Sequence, residues 1–328
     1  MTNKSRLQVG VIGVGALGRH HARLYAQNPQ AEVVGIFDVQ KAAAEKVGAE
    51  FGLPVFADWR ALAEKCQALS VAVPATLHGQ TVLPLLEMGR HVLVEKPLAA
   101  TLEEAEKMVE TARARNLVLG VGHVERFNPA TDFLMRQSGE IRYISARRQA
   151  PYPPPRVGLP PRGTEVSVIL DLMIHDLDLI LALMRSEVAN VEVFGSALAS
   201  PSADFAAARI EFIDGRCADV TASRLASTPL RQLQVVQDER FWELNYAAPE
   251  GALTEIVSGS PQTRQLEFPA RNALADELDD FLTAVRVTEA TGRLTSPRIP
   301  GIDGLQALKL ALAIEYAAET RNAQEHER

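Results

Sequence analysis

The feature that most constrains the fold is a glycine-rich turn between a short apolar run and an amphipathic stretch. The sequence GVGALG places Gly13, Gly15 and Gly18 directly after LQVGVI and at the start of a predicted helix. Asp38 ends the next predicted strand, 20 residues after Gly18. Glycines at this spacing allow a tight turn, a close approach of backbone to pyrophosphate and close helix packing. Strand, turn, helix and acid together predict a Rossmann dinucleotide-binding unit, whereas the glycines alone would be weak evidence.

The same motif predicts the cofactor and the residues that contact it. The helix start at Ala16 and Leu17 offers backbone amides and the positive end of the helix dipole to a pyrophosphate. Asp38 is placed to accept hydrogen bonds from the two hydroxyls of an adenine ribose. The alternative is that Asp38 only caps the turn that follows the strand. Val39 and Gln40, which follow it, provide no guanidinium for a 2′-phosphate. We therefore expect NAD rather than NADP.

Two different patterns of predicted strands and helices along the chain predict two domains. Residues 7–123 alternate short β-branched runs with helical stretches, which is typical of a parallel sheet with crossover helices. After residue 124 longer strands appear, with a predicted hairpin turn at Asp214-Gly215. We predict an α/β Rossmann domain at 1–123 and a substrate-binding and oligomerisation domain at 124–328, built on an open, largely antiparallel β-sheet. The pattern leaves open whether the last helix packs back on the first domain.

Composition and charge exclude several classes of partner. The 328-residue chain has a formal net charge of −7 and no Lys or Arg run, so neither nucleic acid nor an anionic membrane is expected to bind. Cys66 and Cys217 lack metal-ligand or CxxC spacing, which fits a reduced intracellular protein without a metal site. No signal-peptide pattern follows the start of the chain. We expect a cytoplasmic homo-oligomer, because an open sheet commonly needs a partner to cover its face.

Two strand ends carry candidate chemical residues. Glu95, Lys96 and Pro97 follow the predicted strand HVLV, at the edge where ligands bind in parallel sheets. A solvated turn lysine is the alternative for Lys96. The run VAVPATLH brings Pro74 and His78 to the same edge, and we expect Pro74, Glu95 and Lys96 to bind the cofactor there. We interpret His78 as a helix-start or cofactor-lining residue rather than a catalyst.

The stretch LDLMIHDLD predicts a buried helix that carries Asp171, His175, Asp176 and Asp178 among apolar residues. At about 100° per residue, Asp171, His175 and Asp178 share one narrow stripe. Buried ionisable groups are costly unless they pair, bind a ligand or take part in chemistry. The pattern alone leaves a structural His–Asp contact as the alternative to a catalytic pair, and it indicates no role for Asp176.

Four separated motifs, GVGALG, VAVPATLH, EKP and DLMIHDLD, resemble the Gfo/Idh/MocA family of sugar and polyol dehydrogenases in their order along the chain. The resemblance implies that Lys96 lies near the nicotinamide and the reacting hydroxyl. It also implies that an aspartate and a histidine on a helix of the second domain, here Asp171 and His175, act with this lysine. His175 is then the general base, Asp171 orients its imidazole and Lys96 stabilises the alkoxide. The family's glycine-rich approach to this helix is replaced here by TEVSVIL.

A finer resemblance concerns the substrate. GHVERFNPA, VILDLMIHDLDLIL and GLQALKLALAI are similar to segments of bacterial family members of lipid A assembly. This implies UDP-N-acetylglucosamine as substrate, oxidation of its 3-hydroxyl, and functional coupling to an aminotransferase. Lys96 and His175 would contact the sugar, and Arg126, Arg156 and Arg162 are candidates for its phosphates.

Other functions stay open at this point. Within the family, an inositol or other sugar dehydrogenase, biliverdin-reductase-like chemistry and aldose–aldose chemistry are alternatives. A regulator that binds NAD and a sugar without turnover is an alternative of a different class. The joint presence of Lys96, Asp171 and His175 favours the enzyme.

Overall fold

The computed structural model describes residues 6–155, 161, 163–248 and 250–326. The chain divides into two compact units. The first comprises Met1–Val124 and Asn272–Leu305, and the second comprises Glu125–Arg271 and Gln306–Arg328.

The first unit is built on a five-stranded sheet in which every pairing is parallel. Its strands are β1 Leu7–Ile12, β2 Ala31–Phe37, β3 Ala68–Val71, β4 His91–Glu95 and β5 Leu119–Gly122, in the spatial order β2-β1-β3-β4-β5. The Rossmann prediction is therefore confirmed. The carboxyl ends of the strands line one edge, which is where such sheets bind their ligands.

The second unit carries an eight-stranded sheet. Its strands are β6 Ile141–Gln149, β7 Val188–Ser196, β8 Phe205–Phe212, β9 Cys217–Ser223, β10 Leu230–Gln237, β11 Arg240–Asn245, β12 Glu250–Val257 and β13 Ser260–Glu267. The spatial order is β13-β12-β11-β10-β6-β9-β8-β7, and every pairing is antiparallel except β6 with β9. The predicted hairpin joins β8 to β9, with Gly215 at a φ of +84°. The prediction of an open, largely antiparallel sheet is therefore confirmed.

The α-helices fall between these strands and at the end of the chain. They are α1 Ala16–Gln27, α2 Lys41–Phe51, α3 Trp59–Glu64, α4 His78–Glu87, α5 Leu102–Ala114, α6 Pro129–Met135, α7 Ile174–Met184, α8 Ala273–Thr291 and α9 Gly301–His326. Two 3-10 turns lie at Ala75–Leu77 and Val124–Phe127, and a π-helix at Ile169–Met173 runs directly into α7. No helix within the described part of the chain is long and apolar enough to cross a membrane.

Helix α8 corrects the predicted extent of the second domain. Its buried Leu278, Phe281 and Leu282 pack in the same core as Val9 and Tyr25 of the first unit. An amphipathic helix joins the sheet that buries its apolar face, whatever its position in the sequence. The predicted boundary near residue 124 matches the point where the chain first passes from the first unit to the second. The segment 272–305 then returns to the first unit.

The last helix is shared between the two units, since its first turn lies against β5 of the first unit, with Gly301 next to Leu119 and Gly304 next to Val121. From residue 306 onwards α9 belongs to the second unit, where Ala307, Leu310, Ala311 and Ile314 are buried in the core beneath the eight-stranded sheet. The same core holds Ile174, Leu177 and Ile180 of α7. The helix that carries the candidate histidine is thus packed on its apolar side within this unit.

We expect Phe281→Ala to lower the free energy of unfolding by about 3–5 kcal/mol, because its ring is 1% exposed and its removal leaves a cavity under β1 and β4. Val287→Ala on the same helix is the matched control, since Val287 is 39% exposed. Its effect should stay within about 0.5 kcal/mol. Urea denaturation of both variants measures the difference, and equal losses would contradict the assignment of α8 to this core.

Candidate active site

The glycine-rich turn is tightly packed at two of its glycines and open at the third. Gly13 has a φ of +84°, and a Cβ atom there would lie 2.8 Å from the backbone of Ala72. A Cβ atom on Gly18 would overlap the carbonyl oxygen of Gly13. At Gly15, the N-cap residue of α1, an added Cβ atom would meet nothing within 4 Å. The open space in front of the helix N-terminus fits a pyrophosphate group.

Asp38 lies beside this turn and is held by two backbone amides. Its Oδ2 accepts a hydrogen bond from the amide of Val14 at 2.8 Å, and its Oδ1 accepts one from the amide of Gln40 at 2.8 Å. The side chain thus caps the turn before α2, as the alternative interpretation expects. An ionised carboxylate has further lone pairs for ribose hydroxyls. The fixed carboxylate next to the glycine turn therefore also fits an adenine ribose.

The remaining predicted cofactor residues occupy the same carboxyl edge. Ala16 and Leu17 are exposed in the first turn of α1. Pro74 is exposed and is the N-cap residue of the 3-10 turn Ala75–Leu77. Lys96 follows β4 directly and is half-buried. The first unit thus brings the cofactor candidates to one edge, and their contacts with NAD stay a prediction.

His78 is buried and connects two backbone segments of this edge. It begins α4, as one of the two interpretations predicts. Its Nδ1 lies 2.7 Å from the carbonyl oxygen of Pro97, and its Nε2 lies 3.0 Å from that of Val73. Burial lowers the pKa of His78 by more than these carbonyls and the charge of Glu95 raise it. Because each ring nitrogen faces a backbone carbonyl oxygen, the ring of His78 lies between the turn after β4 and the turn after β3.

Glu95 forms a buried contact that sequence reasoning missed. Its Oε1 lies 3.0 Å from Nε2 of His21 on α1. Burial raises the pKa of the Glu95 carboxyl, but the hydrogen bond and charge of His21 and the charge of Lys96 outweigh it, so the pKa lies below its ordinary value. The available signal was helical spacing, because His21 shares the inward face of α1 with Gly18 and Tyr25.

The candidate helix of the second unit begins with a π-turn rather than with regular α-helix. The amide of Ile174 donates to the carbonyl oxygen of Ile169, five residues earlier. A π-turn changes the rotation per residue, so α-helical spacing does not hold between Asp171, which lies in the π-turn, and His175, which lies in α7. Asp171 and His175 are half-buried, whereas Asp178 is completely buried. Single π-turns within helices occur frequently at functional sites.

Asp178 is a structural partner of Arg126. Nε of Arg126 donates to Oδ2 of Asp178 at 2.7 Å, and Nη2 donates to Oδ1 at 2.6 Å. Arg126 is 6% exposed. The forked edge of the guanidinium that would suit a phosphate thus faces a carboxylate. This geometry does not support the predicted role of Arg126 in substrate binding.

Asp176, to which the sequence assigned no role, is the centre of a buried charge cluster. Its Oδ2 accepts a hydrogen bond from Nε of Arg148 at 2.9 Å, and its Oδ1 accepts one from the hydroxyl of Tyr246. Arg148 also donates to Oε1 of Glu125 at 3.0 Å, and Arg231 donates to the same oxygen at 2.9 Å. Removal of one partner from such a cluster strands a buried charge. The cluster therefore holds the helix next to His175 in a fixed orientation.

A glycine also approaches Asp171, despite the replacement noted in the sequence. Gly163, directly before TEVSVIL, has a φ of +83°, and a Cβ atom there would lie 2.5 Å from Oδ2 of Asp171. Arg224 is buried and donates to the carbonyl oxygens of Gly163 at 2.6 Å and of Val166 at 2.7 Å. The loop is thus fixed against Asp171. Arg156 and Arg162 lie outside the described residues.

Comparison with known proteins agrees with both units. Residues 7–123 match the model of the oxidoreductase family with an NAD-binding Rossmann fold, and residues 136–241 match the GFO/IDH/MocA C-terminal domain. The chain belongs to the Gfo/Idh/MocA family. Membership of this family makes it an NAD-dependent oxidoreductase that acts on CH–OH groups, as the motifs predicted.

Individual Gfo/Idh/MocA relatives cover most of the chain. It is 34% identical to UDP-N-acetylglucosamine 3-dehydrogenase of Acidithiobacillus ferrooxidans, over 95% of this chain and 97% of that protein. A solved structure of that enzyme superposes with a TM-score of 0.89 at 32% identity, covering 96% of this chain and 98% of the other. The chain is also 30% identical to scyllo-inositol 2-dehydrogenase (NAD(+)) of Bacillus subtilis, over 67% of this chain and 68% of that protein.

We expect Gly15→Ala to weaken NAD binding by about tenfold, or ~1.4 kcal/mol, because the new methyl group occupies the open space in front of α1. The free energy of unfolding without NAD should stay within about 0.5 kcal/mol of the wild type, since the methyl group meets no protein atom. Titration calorimetry and urea denaturation measure the two quantities. An unchanged dissociation constant would show that the pyrophosphate does not approach Gly15.

Proposed function

We propose that this protein oxidises the 3-hydroxyl of UDP-N-acetylglucosamine to the 3-keto nucleotide sugar with NAD. The observation that carries the substrate is the 34% identity, over 95% of the chain, to a UDP-N-acetylglucosamine 3-dehydrogenase. An inositol dehydrogenase is the second candidate, favoured by the 30% identity to the scyllo-inositol enzyme over a shorter part of the chain.

The proposed chemistry assigns a separate task to each of three side chains. Loss of hydride from a carbinol also requires loss of the hydroxyl proton, and imidazole is the most frequent acceptor of such protons. His175 takes this proton, and Asp171, one turn earlier, orients the imidazole and stabilises its protonated form. The ammonium group of Lys96 stabilises the negative charge that develops on the sugar oxygen. Gly15 and Asp38 would hold NAD, which would supply the hydride acceptor for this oxidation.

The proposal includes a cellular context. A 3-keto sugar is a substrate for transamination, so an aminotransferase is the proposed functional partner, in lipid A assembly and in the cytoplasm. We also propose a homo-oligomer that covers the open face of the eight-stranded sheet. Arg156 and Arg162 stay the proposed phosphate ligands, because a planar guanidinium suits a diphosphate.

We expect the purified protein to form a 3-amino nucleotide sugar from UDP-N-acetylglucosamine when NAD and a glutamate-dependent sugar aminotransferase are present. The aminotransferase removes the keto product and so draws the oxidation forward. Mass spectrometry detects the product, with free N-acetylglucosamine and scyllo-inositol as comparison substrates. NADH formation with scyllo-inositol but not with the nucleotide sugar would refute the substrate and leave the dehydrogenase assignment intact.

His175→Ala is expected to lower kcat by roughly 10²–10⁴, the range for a positioned acid–base group, and to alter the pH dependence of kcat/KM. Lys96→Met should also lose turnover while NAD binding is retained, because it keeps most of the side-chain stem but removes the charge. Lys107→Met is the matched control, since Lys107 is exposed on α5. Single-turnover kinetics and calorimetry separate chemistry from binding, and a near-wild-type kcat for Lys96→Met would identify Lys96 as an ordinary turn lysine.

A further inference from the structure

We infer that His21 is a positioning residue for Lys96. His21 fixes the buried carboxylate of Glu95, and this carboxylate acts on Lys96. Ser70 and Tyr25 in turn fix the ring of His21. The inference rests on the proposed function because it concerns the lysine assigned to alkoxide stabilisation. It adds a set of residues that contact neither the reacting hydroxyl nor the cofactor in the proposed chemistry.

The four side chains form one buried chain of hydrogen bonds. The hydroxyl of Tyr25 lies 2.9 Å from Oγ of Ser70, Oγ of Ser70 lies 3.1 Å from Nδ1 of His21, and Nε2 of His21 lies 3.0 Å from Oε1 of Glu95. Tyr25 and His21 are 1% exposed, Ser70 is completely buried and Glu95 is 8% exposed. Polar groups removed from water in this way are retained only when each finds a partner. The chain joins α1, β3 and β4 at the edge that ends in Lys96.

The donors in this chain can be assigned from its two ends. Burial raises the pKa of the Tyr25 hydroxyl above its ordinary value, so Tyr25 keeps its proton and can donate it to Ser70. An ionised carboxylate accepts hydrogen bonds and donates none, so Nε2 of His21 carries the proton that faces Glu95. The hydroxyl of Ser70 lies between the hydroxyl of Tyr25 and Nδ1 of His21 and links the two. The donor at Nε2 of His21 fixes the orientation of the Glu95 carboxylate.

The other side of the carboxylate is bounded by backbone. Gly122 of β5 pairs with Glu95 across the sheet, and a Cβ atom on Gly122 would lie 2.9 Å from Oε2. The charged or titratable groups that act on Glu95 are His21, Lys96 and His78, and Glu277 acts on Tyr25. Lys96 is the next residue in the chain, and its positive charge helps to lower the pKa of the Glu95 carboxyl, so the two charges act on each other. Without the donor at Nε2 the carboxylate turns or takes a proton, and its electrostatic effect on Lys96 changes.

Substitution of His21 by glutamine or by asparagine tests the roles of its two ring nitrogens separately. Glutamine can place an amide N–H near the position of Nε2, whereas asparagine reaches only the position of Nδ1. We expect His21→Gln to keep kcat within about threefold, and His21→Asn to lower it by about 10²-fold, the loss that a small misplacement of a catalytic group causes. The dissociation constant for NAD should be the same in both. Equal losses of kcat in the two variants would overturn the inference, because only His21→Gln keeps a donor that can reach Glu95.

A second measurement does not depend on turnover. The rate at which trinitrobenzenesulfonate labels Lys96, located by peptide mass spectrometry without cofactor, should rise in His21→Asn and stay at the wild-type value in His21→Gln. The same substitutions at His20, the exposed neighbour on α1, are the control and should leave the rate unchanged. Equal labelling in all variants would overturn the inference, and absence of turnover with UDP-N-acetylglucosamine in the wild type would overturn only the proposed function. If His21→Asn does not fold, Ser70→Ala removes the hydroxyl that holds Nδ1 of His21 and should raise the labelling rate.

Discussion

The carboxyl edge of the parallel sheet depends on how closely α1 packs against the turn that precedes it. Only glycine at position 18 allows the helix to lie against the carbonyl oxygen of Gly13. This packing directs one face of α1 towards β3 and β4, and that face presents Tyr25 and His21 to Ser70 and Glu95. The glycine spacing therefore does more than make room for a pyrophosphate. It also positions α1, and His21 of this helix contacts Glu95, the residue before Lys96.

In the second unit the decisive interactions are the buried ion pairs of the candidate helix. Asp176 and Asp178 are completely buried, and both are compensated by arginines. Buried ion pairs contribute little net stability compared with apolar packing, but removal of one partner is strongly destabilising. Their effect is thus to fix the rotation of the helix about its axis. Asp171 and His175 lie on the same stretch and are half-buried.

Much of the fold could be predicted because its signals are local. Strand composition, the glycine turn and Asp38 lie within about 30 residues of sequence, which is the span of one βαβ unit. The partners of the buried charges could not be predicted in this way. Arg126 is 52 residues from Asp178, and His21 is 74 residues from Glu95. A helical periodicity of 3.6 residues also cannot reveal the π-turn before α7, since it assumes the rotation that the π-turn changes.

The charge balance of the second unit bears on how a diphosphate would be bound. The candidate helix contacts two groups of buried charges: the cluster of Glu125 and Asp176 with Arg148 and Arg231, and the pair of Asp178 with Arg126. Together, these three carboxylates and three guanidinium groups leave no excess positive charge. An anionic substrate gains little from a neutral cluster, because its attraction to the arginines is offset by repulsion from their partners. The phosphates of a nucleotide sugar must therefore be contacted by cationic or backbone groups outside this cluster, and the buried arginines serve to orient the helix.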